Sequence, residues 1–304
     1  MTARTAVITV VHGRHEHLAG QLWGLRRQQH PPAVFVAVAM DDPRVSDVVR
    51  EHADAGWDTR VTSVPSSTGG LPLAAARNAG ARTALEAGAE VLVFLDVDCI
   101  PSPTLLGRYA GVLRPDGASR QETRSQTGSQ TRSPVVAAGE VGYLPPVDHP
   151  RRYREPDLAS LARPHPARPV LDPDEVRVAQ DLRLFWSLSF ALDHADWRLL
   201  GGFGEEYVGY GGEDTDFGQR IGAAGGELLW VGGATAYHQH HPSPDPPLHH
   251  LESIVRNANC FHDRWGWFPM EGWLERFAAL GLAGLDKETQ RWRVLTPAGR
   301  VTSD

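Results

Sequence analysis

Disulfide scaffolding, membrane spans and a basic face are all missing from this 304-residue chain. Cys99 and Cys260 are its two cysteines, too few for a disulfide framework and in keeping with a reducing compartment. No apolar run approaches the ~18 residues of a bilayer span, and the short apolar stretch 6–11 reads as a strand, not as the core of a signal peptide. Lys287 is the single lysine. The formal net charge of −7 argues against a nucleic-acid binder, which would carry a basic face. It leaves room for a phosphate-bearing small ligand held by local positive charge or by a metal.

What is there is ordinary for a soluble globular protein: 41% hydrophobic and 22% charged residues, in a chain long enough to bury a sizeable core. The first 115 residues alternate between strand and helix signals. Apolar runs at 6–11, 34–40 and 90–95 predict strands, a short strand is expected near 59–64, and the segments 15–29, 45–55 and 73–86 between them predict helices. Continuous apolar strands separated by helices indicate βαβ units and a parallel sheet covered on both faces. Residues 116–133 are rich in Ser, Thr, Gln, Arg and Gly with no large apolar side chain, so they predict a flexible surface loop. Order resumes at 134–141. A strand at 184–192, a short helix at 193–200, a helix from Glu213, a strand at 227–231 and helices at 248–264 and 270–280 complete the expected elements.

Three stretches carry chemistry. In Phe94-Leu95-Asp96-Val97-Asp98 an apolar strand delivers two carboxylates at its C-terminal end, where open α/β sheets bind ligands. An acidic pair there suits a hard divalent cation, although acids also end strands without any such role. Residues 201–217 place glycines around Tyr207 and Tyr210 and then open a helix with Glu213 and Asp214. The glycines let a ligand approach the backbone. The helix dipole favours ionised acids in its first turn, so that one of them is a candidate general base; the plainer alternative is that they cap the helix. Third, His238, His240 and His241 follow a strand, and spacing alone selects none of them as a metal ligand. Arg77 and Asn78 on the helix after Gly69-Gly70, Asp41 and Asp42 after the second strand, and Arg14 after the first are weaker candidates for phosphate or nucleoside contacts. The Trp-rich stretch 265–273 either lines a groove or, as such clusters more often do, packs beneath a terminal helix.

In this order the pieces resemble the inverting GT-A glycosyltransferases, meaning family 2 together with the β-1,4-galactosyltransferase and polypeptide N-acetylgalactosaminyltransferase groups. Val11-His12-Gly13-Arg14, LAAARNAG at 73–80 and VFLDVD at 93–98 look like the nucleotide-binding half of family 2; GYGGEDTDF at 209–217 looks like the acceptor-side motif of the galactosyltransferases. The resemblance implies an α/β GT-A fold with a Rossmann-like mixed, mostly parallel sheet flanked by helices. It implies one catalytic domain over 1–304: a nucleotide-sugar half to about 115, the loop at 116–133, an acceptor and metal half at 134–264, and a helical tail at 265–304.

The implied activity is transfer of a sugar from a nucleotide-sugar donor, a UDP-sugar first of all, to a hydroxyl of a small-molecule, glycan or glycoconjugate acceptor, with inversion. The implied roles are Asp214 as base; Glu213, Tyr210 and Trp186 as acceptor contacts; Asp41, Arg77, Asp96 and Arg14 as donor contacts; and Asp98 with His238, or His240 as runner-up, as ligands of Mn²⁺ or Mg²⁺. Tyr210 stands where Trp is usual, and Val-Val-His-Gly replaces the commoner end of the first strand. A cytoplasmic enzyme, compatible with peripheral membrane association, is expected. Two other readings compete. A nucleotidyltransferase would favour a Gly-rich phosphate loop after the first strand, where this chain has only Gly13. A non-catalytic sugar-binding relative would have lost the base or the metal ligands, and both are present.

Overall fold

Strands that are apolar on both faces must be covered on both, and the first half of the chain meets that demand with helices. The computed structural model describes residues 3–66, 69–114, 123–124, 130–154, 157–242 and 244–295. Its first half runs β1 (Thr5–Val11), α1 (His15–Leu25), β2 (Val34–Met40), α2 (Arg44–His52), β3 (Asp58–Val64), α3 (Leu73–Glu86) and β4 (Val91–Leu95). β1, β2 and β4 are buried along their whole length. β3, at the sheet edge, alternates between half-buried and exposed residues. All four run parallel in the order β3-β2-β1-β4, so the winding reverses between β1 and β4. Ligands bind beyond the carboxyl ends at such a switch point.

The second half continues through β5 (Cys99–Pro101), α4 (Leu105–Leu113), β6 (Thr123–Arg124), β7 (Gln130–Thr131), β8 (Val135–Tyr143), α5 (Leu158–Leu161), β9 (Arg163–Pro164), β10 (Val176–Val178), β11 (Ser189–Asp193), α6 (His194–Leu200), α7 (Glu213–Ala223) and β12 (Glu227–His238). It closes with α8 (Leu251–Trp265), α9 (Glu271–Ala279), β13 (Ala283–Asp286) and β14 (Arg291–Val294). β11 inserts antiparallel between β4 and β8, and β12 lies parallel to β8, giving the expected mixed sheet. The loop expected at 116–133 lies mostly outside the described residues; within it β6 pairs with β7.

The strand expected at 184–192 begins only at Ser189, because residues 182–184 form a 3-10 turn capped by the Asp181 carboxylate. The strand expected to end at Val231 runs on to His238. It does so through an irregularity between Val231 and Ala236, opposite β8. Gly139 of β8 makes this possible, since a Cβ there would meet the Ala234 carbonyl oxygen at 1.9 Å. The bent strand then pairs with β5, setting His238 beside Cys99 and so next to Asp98. The chain after 265 is not wholly helical, for β13 and β14 form a hairpin after α9.

One face of the sheet packs an aromatic cluster around Phe94. Its ring stacks on Phe190 at 4.6 Å and on Trp197 at 5.0 Å and meets Phe203 edge-on at 6.2 Å. Phe94 lies two residues before Asp96, so this packing also fixes the strand end that carries the site. Phe94→Ala is expected to cost about 3–5 kcal/mol, read by urea denaturation. A cost near zero would mean that the cluster does not hold the strand.

Candidate active site

The site assembles where β1, β2 and β4 end. Successive side chains on a strand point to opposite faces, and Asp96 and Asp98 share one region because the chain turns between β4 and β5. Asp98 is buried. Its carboxylate lies 3.5 Å from His238 Nε2 and 3.4 Å from His241 Nε2, and the Arg14 guanidinium also contacts it. Burial opposes its ionisation, but the His241 hydrogen bond and the charges of His238 and Arg14 outweigh that and hold its carboxyl well below the usual range. Burial lowers His238, against the pull of Asp98, which favours the neutral imidazole with its lone pair. One ligand atom from each of Asp98, His238 and His241 lies within 4.8 Å of the others. These three side chains could hold a divalent cation.

His240 is not in this group. It is exposed, and its backbone N–H donates to the Tyr153 hydroxyl at 3.2 Å. His241 takes the position beside His238. β12 ends at His238, so the strand alternation that would have set residues 238 and 240 on one face no longer applies.

Arg77 rises from α3 to join the two halves of the site. Only 4% exposed, it reaches Asp96 Oδ1 and Glu213 Oε1, each at 3.2 Å. Burial pushes Asp96 up to about 6 although Arg77 draws it down. Asp214 follows Glu213 in the first turn of α7, where its carboxylate accepts the Thr215 N–H at 2.7 Å. Burial and the Glu213 charge raise it to about 7, against Arg77. The helix dipole was expected to keep this acid ionised; burial outweighs it.

The third acid of that turn does something else. Asp216 is fully buried, and its Oδ1 accepts from Arg264 at 2.7 Å, Trp265 Nε1 at 2.9 Å and the Tyr207 hydroxyl at 3.3 Å. It ties α7 to α8, which accounts for Trp265 as structure.

On the donor side, Asp41 ends β2 in the left-handed region, φ 47°, and its carboxylate accepts from the Ser66 N–H at 2.8 Å and from its hydroxyl; these bonds lower it. Asp42 accepts from the Gly13 N–H at 2.7 Å and lies 2.8 Å from His15 Nε2, which pins the β1–α1 loop to the end of β2. Arg14, also left-handed, starts α1 and turns its side chain to Asp98 and not toward Asp41. Trp186 stands edge-on to His165 at 4.6 Å with the Arg168 guanidinium over its face at 4.7 Å. His165, Tyr143 and His238 continue this ring series at 6.0 and 5.0 Å. Tyr210 is 38% exposed on the loop before α7. The sequence singled out neither His15 nor Gln21, whose amide donates to the Asp96 carbonyl at 2.7 Å and so sets the backbone between the two acids.

The two acids of α7 are separable by experiment. Asp216→Ala should cost about 2–3 kcal/mol, because it takes the shared acceptor from the buried Tyr207 hydroxyl and from Trp265 Nε1. Asp214→Ala should stay within about 1 kcal/mol. Both are read from denaturant midpoints, and equal losses would sink the distinction.

Comparison with known proteins bears on the family and the fold. The model of the family described as Glycosyl transferase family 2 matches residues 6–133, and that of the N-terminal domain of galactosyltransferase matches residues 170–242. Validoxylamine A glucosyltransferase of Streptomyces hygroscopicus subsp. limoneus is 30% identical over 228 residues, covering 72% of this chain and 48% of the relative. The chain thus spans about half the length of that curated relative. Among solved structures, GalNAc-T7 with UDP, GalNAc and Mn²⁺ aligns with a TM-score of 0.52 at 15% identity, over 91% of this chain and 57% of that one. S. aureus TarS 1–349 in complex with UDP aligns with a TM-score of 0.52 at 14% identity, over 84% and 64% respectively. With both matched stretches, the curated relative and the fold in agreement, the chain belongs to the family 2-like glycosyltransferases of GT-A fold.

Proposed function

We propose that this chain transfers a sugar, glucose first of all, from a UDP-sugar to an acceptor hydroxyl with inversion at the anomeric carbon. The observation that carries the reading is the shared guanidinium of Arg77. It pairs with Asp96 at the strand end and with Glu213 at the start of the helix that also bears Asp214, so a donor laid along β4 would present its anomeric carbon to an acid of α7. The relative's name supports glucose as the sugar, and the neighbours solved with UDP support the nucleotide.

In this mechanism Asp214 takes the proton of the acceptor hydroxyl as its oxygen bonds to the anomeric carbon, while the bond to the diphosphate oxygen breaks and its electron pair leaves with the nucleotide. A raised carboxylate suits the task, because a base near the working pH balances availability against basicity. Glu213 orients the acceptor and Asp96 the donor sugar, both anchored by Arg77. Asp41 faces the nucleoside. Asp98, His238 and His241 would hold a divalent cation, Mn²⁺ in preference to Mg²⁺ because two of the donors are imidazole, and it would neutralise charge on the departing diphosphate. Among the described residues no helix is long and apolar enough to cross a membrane, and the reading calls for none.

A donor screen with Mn²⁺, monitoring nucleotide-sugar turnover, is the first test. Asp98→Ala should lower turnover of the preferred UDP-sugar by about 10²–10³-fold. Mn²⁺ affinity, titrated calorimetrically, should fall for His238→Ala and His241→Ala and hold for His240→Ala. An equal loss in all three would remove the ligand assignment.

The base has a signature in pH. Protonated Asp214 is inactive, so kcat/KM should rise with pH and level off above about 7. Asp214→Asn should lose about 10²–10⁴-fold in transfer. Full activity in that variant would end the assignment.

A further inference from the structure

Two glycine-bearing segments lead into the helices that carry the acid cluster. Gly69, Gly70 and Leu71 precede α3, which bears Arg77, and residues 208–212 precede α7, which bears Glu213 and Asp214. They come from distant parts of the chain and meet backbone to backbone. The Gly209 N–H donates to the Leu71 carbonyl at 3.0 Å. A Cβ on Gly70 would meet Gly209 Cα at 2.9 Å, and one on Gly209 would meet the Gly69 carbonyl oxygen at 3.0 Å. Gly70 and Gly209 hold φ values of 119° and 79°, which residues with a Cβ rarely adopt. Glycine gives the two segments their close approach and also the freedom to leave it, so what fixes them has to come from elsewhere.

Helix α8 supplies it. Asn257 is fully buried, and its amide donates to the carbonyls of Val208, Tyr210 and Gly211 at 3.1, 3.3 and 2.8 Å. Those three bonds hold the segment before α7. The neighbouring Arg256 reaches both segments: a single nitrogen, Nη2, donates to the Gly69 carbonyl at 3.1 Å and to the Val208 carbonyl. Arg256 is exposed, so the core does not need its side chain as packing.

We propose that Arg256 is a positioning residue for transfer. It clasps the segment before α3 to the segment before α7 and so keeps Arg77 and Asp214 in register from outside the acid cluster. Arg77 joins the same two helices from within, through Glu213. Transfer needs the attacking oxygen within about 3–3.5 Å of the anomeric carbon. A segment that drifts at the entry to α7 spoils that approach while leaving the hold on the nucleotide intact. Arg256 lies beyond both matched stretches, so the clasp belongs to this chain's own C-terminal part. The proposal rests on the reading of Asp214 as base.

Hydrogen exchange on the full chain, read by mass spectrometry, tests it together with steady-state kinetics. In Arg256→Met, which keeps an unbranched side chain and removes its donors, segments 69–76 and 205–212 should both exchange about tenfold faster while α8 stays unchanged. The kcat for hydrolysis of UDP-glucose in Mn²⁺ should fall about tenfold and KM should stay within about twofold. Arg256→Lys should restore both, since one ammonium nitrogen can serve the same two carbonyls. Unchanged exchange in either segment, or faster exchange along α8 instead, would overturn the clasp. Faster exchange in both segments with an unchanged kcat would overturn its part in positioning. The two readings fail separately, because a fully active Asp214→Asn would remove the base and leave the exchange result standing.

Discussion

A guanidinium buried without partners is among the most expensive groups a fold can contain, and Arg77 is 4% exposed. It survives there because Asp96 and Glu213 meet it from opposite sides at equal distance. The end of β4 and the start of α7 are thereby tied to one buried cation. Asp214 is one residue along from Glu213. The strand end and the helix start are therefore registered by a single side chain.

That side chain is placed by small residues. Ala74, Ala76, Ala81 and Ala84 are buried on α3, and a Cβ on Gly80 would meet Ile8 Cγ2 at 2.4 Å. The helix can thus lie close on β1 and β2, and Arg77 leaves it at the height of the strand ends. Asn78, the next residue, donates to the Phe203 carbonyl and accepts the Phe203 N–H, each at 2.9 Å. It holds the glycine-rich segment that leads to Tyr210. Two adjacent polar residues on one helix thereby fix the acid cluster and the entry to the acceptor loop.

Much of this was legible in the sequence because it depends on local pattern. Buried parallel strands announce themselves as continuous apolar runs, and their ends mark the site, which is why Asp96, Asp98 and the β2 acids were found. The start of α7 was readable from the glycines before Glu213. The choice among three histidines was not, because it depends on where β12 stops and on a bulge permitted by Gly139, nearly a hundred residues away. The upward shift of Asp214 was not legible for a related reason. A helix dipole is visible in sequence, whereas the burial and the Glu213 charge that overcome it are products of the tertiary fold. The partners of Tyr210 arrive from residues 250 and 273, and no spacing rule connects them.

The acids of α7 illustrate how one turn of helix can carry opposed requirements. Asp216 is fully buried yet accepts three hydrogen bonds, from Arg264, Trp265 and Tyr207. These bonds are structural, since they join α7 to α8. Asp214 has the Thr215 N–H and hydroxyl as its hydrogen-bond donors, with like charge beside it, and burial with that charge raises it to about 7. Both states follow from position on the helix, since Asp216 turns toward α8 while Asp214 turns toward the cluster around Arg77. The same first turn thus anchors α8 through Asp216 and carries Asp214 on its other side, and the anchor keeps α8 against the glycine-rich loop before α7.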